Sequence, residues 1–267
     1  MNDTILLYNQ KQKTSKYSSF ANTEAILKYT SETKKAVIHF WTTEPTVILG
    51  MQDLRLSNLS KGLIYLKEQQ FDYFVRNSGG LGVVSDDGVL NFTICLPSKD
   101  QLSIDAAYEL MYKIIRETFN ENIVAGEIEN SYCPGTYDLS INGKKIAGLS
   151  QRRVGESVAI MAYISICGDQ KLRSNLMQNF YQLSNVPINE KIKFPVIDPE
   201  CMENLDSFDE PNLNIDLAKQ KIIDRIALDY NIDYDNFETI KDSDTYIKNF
   251  KNSIERIEQK NLQLPEV

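Results

Sequence analysis

DLSINGKKIAGLSQRR, residues 138–153, contains two strand-like runs that flank the dipeptide Asn142-Gly143. An Asn-Gly pair between such runs is typical of a two-residue type I′ β-hairpin turn, whose two central residues need positive φ. VGE at 154–156 predicts a second turn, and SVAIMAYISIC at 157–167 predicts a third strand. The stretch therefore predicts a mainly antiparallel sheet.

The residues before this stretch predict two helices and several further strands. Helices are predicted at 19–32 and at 104–120, the second after the capping residue Ser103. The second helix is amphipathic, and its apolar face consists of Ile104, Ala107, Tyr108, Met111, Ile115 and Phe119. Strands are predicted at 36–41, 46–51 and 72–76, and a hairpin is predicted from 82–85 and 89–96 around DDG.

The last third of the chain is predicted to be irregular and then helical. Prolines at 187, 195, 199 and 211 mark an irregular crossing segment, and 214–230 and 243–261 have helical periodicity. The predicted fold class is α+β, with helices that cover a mixed, mainly antiparallel sheet. We expect one domain at 1–210, and a helical C-terminal extension at 211–267 that packs on it.

Composition and charge exclude several classes of partner. With 42% hydrophobic and 25% charged residues, the chain has the composition of a soluble globular protein. The net charge of −8 gives no general attraction for nucleic acid or an anionic membrane. The N-terminus lacks the order of a signal peptide and no apolar run is long enough to span a bilayer, so a cytoplasmic protein is expected.

Cys133 is the cysteine whose surroundings indicate chemistry. The cysteines at 95, 133, 167 and 201 are too widely spaced to predict a zinc site or a disulfide framework. Cys133 lies before Pro134-Gly135, which places it in a turn, and its thiol needs a nearby cation to ionise. The single histidine, His39, is expected in the core. The hairpin returns Lys144 or Lys145 toward Cys133, on opposite faces, although a loop cysteine and solvated lysines fit the residues as well.

RNSGGLGVVSDDG, residues 76–88, forms a second cluster. Its glycines allow close backbone approach to a ligand and expose amide groups that can hold a phosphate, a carbonyl or an oxyanion. The loop follows a strand but opens no helix, which excludes the Rossmann and P-loop patterns. A flexible hairpin remains as good an interpretation of the glycines alone.

Together, RNSGGLGVVSDDGVLNFT and YDLSINGKKIAG resemble the lipoate-protein ligase and biotin-protein ligase catalytic superfamily. The first segment has that group's Arg, Ser-Gly-Gly, acid, Gly and Leu-Asn-Phe pattern. The second has its Asp followed by Gly, a basic residue, Lys, an aliphatic residue, a small residue and Gly. The resemblance covers about residues 17–205, and it implies that superfamily's catalytic fold.

Two departures from the ligases narrow the resemblance. Leu81 and Val84-Ser85 stand where lipoate ligases have a third glycine and a Tyr-His pair, and SYCPG adds a cysteine ahead of the aspartate. With GLSQRR, these features resemble the octanoyl-[glycine cleavage H protein]:protein N-octanoyltransferases. That resemblance implies an acyl-thioester cysteine at Cys133 and, at Lys145, the lysine that favours its thiolate. It implies octanoyl transfer from the H protein to lipoyl domains of 2-oxoacid dehydrogenases, without cofactor or metal.

The resemblance also implies a set of substrate-binding residues, which consists of Arg76, Ser78, Gly79, Gly80, Leu81, Gly82, Val83, Asn91 and Asp138. Amides of the loop 78–82 are expected to bind the oxyanion, and Leu81, Val83 and Val84 are candidates for lining an acyl-chain pocket, although all three also fit a core face. Arg76 is expected to order the loop or meet the acceptor domain. Arg152 and Arg153 offer a basic patch, or are solvated.

Three alternative functions use the same residues differently. In an ATP-dependent lipoate or octanoate ligase, the glycine loop and Lys145 would bind an acyl-adenylate and Cys133 would be incidental. An octanoyltransferase could take its acyl group from acyl carrier protein. A non-catalytic adaptor would only dock lipoyl domains.

Overall fold

The structure, a computed structural model, describes residues 4–11, 16–76, 78–97, 99–184, 194–208 and 210–267. The strands are β1 (Thr4–Asn9), β2 (Ala36–Trp41), β3 (Thr46–Leu49), β4 (Asp72–Val75), β5 (Val83–Ser85), β6 (Val89–Pro97), β7 (Val124–Ala125), β8 (Asp138–Ile141), β9 (Lys144–Val154), β10 (Ser157–Ser165) and β11 (Asn231–Asp233). The helices are α1 (Ser18–Thr33), α2 (Leu59–Glu68), α3 (Ile104–Phe119), α4 (Gln170–Ser184), α5 (Ile215–Ala227), α6 (Asn236–Lys241) and α7 (Asp244–Asn261).

A large mixed sheet forms the frame of the molecule. Its strand order is β11-β1-β2-β6-β10-β9-β8-β7, and β2, β6, β10, β9, β8 and β7 are joined by antiparallel pairings. β1 pairs in parallel with both β2 and β11. The hairpin at Asn142-Gly143 has φ values of 52° and 77°, as a type I′ turn requires. The predicted antiparallel meander and the α+β class are confirmed.

A second sheet, with the order β4-β3-β5, carries the glycine-rich loop. The prediction of a hairpin from 82–85 and 89–96 is therefore wrong, because β5 pairs with β3 whereas β6 pairs with β2 and β10. The turn between them is held by Asp86, whose two carboxylate oxygens each lie 2.7 Å from the guanidinium of Arg173 in α4. This ion pair anchors the turn at which the chain passes from the small sheet to the large sheet. The short 42–45 connection likewise joins β2 and β3 across the two sheets.

The helices cover both sheets. α3 and α5 pack with the large sheet around one core cluster, and α2 and α4 pack with the small sheet around another. The side chain of Ser103 caps α3 by accepting a hydrogen bond from the amide of Ala106, as predicted. The predicted apolar face was wrong at one position, since Ile104 is 59% exposed in the first turn of α3.

The C-terminal section contributes a strand as well as helices. α5 and α7 confirm the two predicted helices, and they begin after the capping residues Asn214 and Ser243. β11 joins the large sheet beside β1, and α7 packs on α1. The segment that contains Pro195 and Pro199 is irregular, whereas Pro187 lies outside the described residues. The strand β1 and the helices α2 and α4 had no sequence prediction.

Candidate active site

One rung of the large sheet aligns residues from five neighbouring strands. Trp41 of β2 pairs with Asn91 of β6, which pairs with Tyr163 of β10; Gly148 of β9 and Asp138 of β8 continue the rung. All five line one cavity of about 340 Å³ between this sheet and the glycine-rich loop. Register in the sheet therefore positions residues that are far apart in sequence around a single site.

The cavity collects most of the residues that the sequence predicted. It is lined by Arg76, Ser78, Gly79, Gly80, Val83, Asn91, Cys133, Asp138 and Lys145. Leu81 and Val84 instead pack in the core cluster of the small sheet, with Met177 of α4, so they are not placed in an acyl pocket. The amide of Gly82 donates to the Tyr181 hydroxyl at 2.9 Å, which directs it away from the cavity.

Arg76 ties the glycine-rich loop to β3 through hydrogen bonds to backbone carbonyl oxygens. Its guanidinium donates to the carbonyl oxygens of Ile48 at 3.2 Å, Gly79 at 3.0 Å and Leu81 at 2.9 Å. The loop also passes close to β3, because a Cβ atom added at Gly50 would lie 2.0 Å from the carbonyl oxygen of Gly80. The loop is therefore fixed against the small sheet before any ligand binds.

The Cys133 thiol faces this loop across a short gap. Cys133 has a φ of 51°, which turns the chain sharply at Pro134 and leaves the side chain half-buried. Its sulfur lies 3.9 Å from Nη2 of Arg76, and a Cβ atom added at Gly80 would lie 3.3 Å from it. Gly80 itself has a φ of 88°, a conformation that L-residues with side chains rarely adopt. The sulfur is thus next to a glycine backbone and a guanidinium.

Lys145 and Asp138 form a buried ion pair beneath the Cys133 turn. Lys145 is 2% exposed, and its Nζ lies 2.9 Å from Oδ1 of Asp138. Nζ also donates to the carbonyl oxygen of Cys133 at 3.0 Å, to Oγ of Ser131 at 3.1 Å and to the carbonyl oxygen of Tyr132 at 3.2 Å. Burial raises the pKa of the Asp138 carboxyl, while the Lys145 ammonium opposes the rise. The pair fixes the backbone that presents the thiol.

The two lysines of the hairpin lie in different environments. Lys144 is partly exposed and pairs with Glu203 at 3.6 Å, whereas Lys145 is buried. This agrees with the alternation of a strand. The contacts of Lys145 near Cys133 are to backbone oxygen atoms and to Asp138, and the hydrogen bond to the sulfur comes from Arg76.

A buried carboxyl group supports the far side of the loop. Asp53 accepts hydrogen bonds from the Gly50 amide at 2.8 Å and from the Tyr181 hydroxyl at 2.9 Å. Desolvation raises the pKa of Asp53 to about 6, and its hydrogen bonds and the charge of Arg76 act in the opposite direction. No sequence pattern indicated this group, because an isolated aspartate in a turn resembles any surface residue.

Sequence reasoning missed the apolar wall of the cavity except at Val83, which was a candidate for lining an acyl-chain pocket. It is formed by Phe20, Trp41, Ile48, Val83 and Met161, which come from α1, β2, β3, β5 and β10. In sequence these residues look like ordinary core positions on helices and strands. Only the stacking of the two sheets shows that they face a cavity. Cys133 lines the same cavity as this apolar wall.

Several other residues that the sequence analysis discussed do not line this cavity. His39 is fully buried and contacts Gln10 and Thr23, so it is a core histidine as predicted, and burial lowers its pKa to about 3. Arg152 pairs with Glu24 at 2.5 Å, which balances much of the charge of the suggested basic patch. Burial raises the pKa of the Cys201 thiol to about 11, and Cys95 has no exposed surface.

The fold and the cavity define a class of protein. A large mixed sheet, a smaller sheet, and a glycine-rich loop and a buried lysine that line one cavity are the features this chain offers for comparison with known proteins. The chain belongs to the lipoyl protein ligase A/B catalytic domain family, which matches residues 15–227. The family predicted from the two sequence motifs is therefore confirmed.

Individual relatives agree with this assignment. The chain is 43% identical over 210 residues to an octanoyl-[GcvH]:protein N-octanoyltransferase of Exiguobacterium sp., which covers 78% of this chain and 73% of the relative. It is 46% identical over 174 residues to a lipoyl-[GcvH]:protein N-lipoyltransferase of Listeria monocytogenes, covering 64% and 63%. Among solved structures, lipoate-protein ligase A bound with ATP shares the fold, with a TM-score of 0.72, 19% identity and coverage of 99% and 100%.

In the described residues, no helix is long and apolar enough to cross a membrane.

Proposed function

We propose that this protein is an acyltransferase that moves an octanoyl or lipoyl group from a lysine of the glycine cleavage H protein to a lysine of lipoyl domains of 2-oxoacid dehydrogenases. The names of the relatives at 43% and 46% identity support the reaction type and the donor. The observation that carries the proposal is that Cys133 lines the same cavity as the apolar wall, with its sulfur beside Gly80 of the glycine-rich loop.

In the first step, the Cys133 thiolate attacks the carbonyl carbon of the donor amide. The sulfur electron pair forms the S–C bond, and negative charge develops on the carbonyl oxygen. Loop amides between Ser78 and Leu81 are candidates to bind that oxygen. The C–N bond then breaks, the nitrogen takes up a proton and the donor lysine leaves as an amine. The acyl group remains on Cys133 as a thioester.

In the second step, the amine of the acceptor lysine attacks the thioester. A new C–N bond forms, the C–S bond breaks, the nitrogen loses a proton and Cys133 returns to the thiolate. The apolar wall holds the acyl chain while the two partner proteins exchange. A covalent intermediate suits this reaction, because one site then serves two protein substrates in turn.

The reaction requires no nucleotide as an energy source, because it breaks one amide bond and forms another. Donor and product are both amides of lysine, so the equilibrium constant of the exchange lies near one. The thioester between them lacks most of the resonance that stabilises an amide. Acylated H protein alone should therefore load only a small fraction of Cys133, and an acyl thioester should load it heavily.

The test is Cys133→Ala, with Cys167→Ala as the matched control because Cys167 is also partly buried. Acyl transfer between the purified partner proteins is measured without ATP or magnesium, and intact-protein mass spectrometry follows the thioester. We expect loss of transfer by a factor of about a thousand or more in Cys133→Ala, since the nucleophile is absent, and normal transfer in the control. Full transfer by folded Cys133→Ala, or a strict requirement for ATP, would reject the thioester mechanism.

A further inference from the structure

Two polar groups in the wall of the cavity have no hydrogen-bond partner. Thr93 of β6 is 2% exposed, and its hydroxyl forms no hydrogen bond within the part of the chain that the structure describes. The indole N–H of Trp41 in β2 is also buried without a partner among these residues. Burying such groups unpaired costs free energy, and most buried polar groups in proteins are therefore hydrogen-bonded. Their presence in a cavity indicates that a ligand supplies the missing acceptor.

The other polar side chains that α1 and β6 contribute to the cavity already have partners. Oγ1 of Thr23 donates to the carbonyl oxygen of Ser19 at 3.1 Å. Nδ2 of Asn91 donates to Oγ of Ser85 at 3.1 Å. Among the polar side chains that these two elements place in the cavity, the Thr93 hydroxyl is therefore the one without a partner in the described chain.

Thr93 lies about one acyl chain away from Cys133. The carbonyl oxygen of Cys133 is 3.0 Å from Nζ of Lys145, and a Cβ atom added at Gly148 would lie 3.8 Å from the same Nζ, so the Cys133 turn contacts β9. β10 separates β9 from β6, which places β6 about 10 Å from β9 at the usual strand spacing. An extended eight-carbon acyl chain spans about 8–9 Å, at about 1.2 Å per bond. Such a chain on Cys133, lying across the strands, ends at β6 beside Thr93.

The surroundings of Thr93 suit sulfur. The rings of Phe20 and Trp41 meet edge to face with their centroids 5.2 Å apart, and the thioether of Met161 belongs to the same cavity wall. Sulfur atoms contact aromatic rings favourably and accept weak hydrogen bonds. A lipoyl group is the eight-carbon chain of an octanoyl group with two sulfur atoms in a ring at its far end. A lipoyl group therefore brings an acceptor to the Thr93 hydroxyl, whereas an octanoyl group brings a methyl group.

We propose that Thr93 makes the cavity selective for a lipoyl group over an octanoyl group, by donating its hydroxyl hydrogen to a sulfur atom of the ring. An octanoyl chain in the same place excludes water from the hydroxyl and leaves it unpaired. The selectivity rests on the proposed function for the identity of the acyl groups that Cys133 holds. Because Thr93 lies about two strand spacings from the reacting bonds, it determines specificity and takes no part in the chemistry at Cys133.

The experiment measures the binding of lipoamide and octanamide, two probes that carry the same acyl groups, by isothermal titration calorimetry. The Cys133→Ala protein is used, so that no acyl transfer takes place. We expect lipoamide to bind more tightly than octanamide. Adding Thr93→Val, which replaces the hydroxyl by a methyl group of similar shape, should weaken lipoamide binding and tighten octanamide binding. The preference for lipoamide should fall about threefold or more.

Two further variants serve as controls. Thr93→Ser keeps the hydroxyl and should keep the preference for lipoamide. Ser150→Ala removes a hydroxyl from an exposed position of the same cavity and should leave the preference unchanged. Equal affinities for the two probes in the protein that retains Thr93, or equal changes of both affinities in Thr93→Val, would overturn the proposal. Because binding needs no transfer, failure of the proposed function would appear in the transfer assays and would leave the preference between the probes unaffected.

Discussion

At the scale of single residues, the site depends on one close approach between two loops. Gly80 faces the Cys133 sulfur, and any side chain there would meet both that sulfur and Nη2 of Arg76. Its φ of 88° adds a second restriction, because this conformation is strained for residues with a Cβ atom. Gly79, directly before it, has open space around the position of a Cβ atom.

This contrast predicts different effects of two neighbouring alanine substitutions. Gly80→Ala should reduce acyl transfer about tenfold or more, because the added methyl group lies 2.8 Å from Nη2 of Arg76 and must displace the guanidinium or the loop. Gly79→Ala should reduce transfer less than Gly80→Ala does, because a methyl group at Gly79 meets no protein atom within 4 Å. Transfer rates and thermal unfolding of both variants provide the check. Equal rates for the two would mean that the distance between the loop and Cys133 does not matter.

At the scale of secondary structure, helix α7 supports the strand that leads into the site. The side chain of Asn261 accepts a hydrogen bond from the Val75 amide at 2.8 Å and donates to the Val75 carbonyl oxygen at 3.0 Å. It therefore pairs with the edge of β4 as a neighbouring strand would. Val75 directly precedes Arg76, so the end of the C-terminal helix helps to fix the start of the glycine-rich loop.

Asn261→Ala should lower the free energy of unfolding by about 1–3 kcal/mol, since both backbone groups of Val75 lose their partner in a partly buried place. Urea unfolding measures this change, and acyl transfer should fall with it because Arg76 is less well fixed. Asn252→Ala, an exposed position on the same helix, is the matched control and should be neutral. A destabilisation as small as that of the control would show that the contact contributes nothing.

The elements that could be predicted are those with local determinants. Asn142-Gly143 specifies its hairpin, and Ser103 specifies the start of α3, within a few residues. The pairing of Thr4 with Asn231 depends on contacts across almost the whole chain, so no local pattern could indicate β11. Helix α2 begins without a side-chain cap and gave no start signal.

In the site, motifs identified Cys133 and the glycine-rich loop, whereas the apolar wall could not be told from core.

At the scale of the whole molecule, two buried titratable groups give the stability opposite dependences on pH. The pKa of His39 is lowered from its ordinary value of 6.5 to about 3, so the unfolded chain binds more protons and stability is lost as the pH falls below about 6.5. The pKa of Asp53 is raised from 3.8 to about 6, so here the folded chain binds more protons and stability is lost as the pH rises toward 6. Between about pH 4 and pH 6 the two effects oppose each other.

Removing either His39 or Asp53 should leave the pH dependence of the unfolding free energy that the other residue causes. As the pH rises from 4 to 6, the unfolding free energy of His39→Gln should fall, relative to that of the wild-type protein, by up to about 1.4 kcal/mol per pH unit. Over the same rise in pH, the unfolding free energy of Asp53→Asn should increase by a similar amount. Urea unfolding across this range measures both slopes. If the two single variants kept the slope of the wild-type protein, the burial of His39 and Asp53 would not control the acid response of this fold.

The ion pair of Lys145 with Asp138 bears on whether the enzyme acylates its own lysine. On the proposed mechanism, an activated acyl group rests on Cys133 while an amine of the protein itself lies beneath the same turn. Lys145 is ion-paired with Asp138 as an ammonium, and an ammonium nitrogen has no lone pair with which to attack the thioester. The arrangement therefore protects the protein against self-acylation, and it leaves the acyl group to a lysine that arrives from outside.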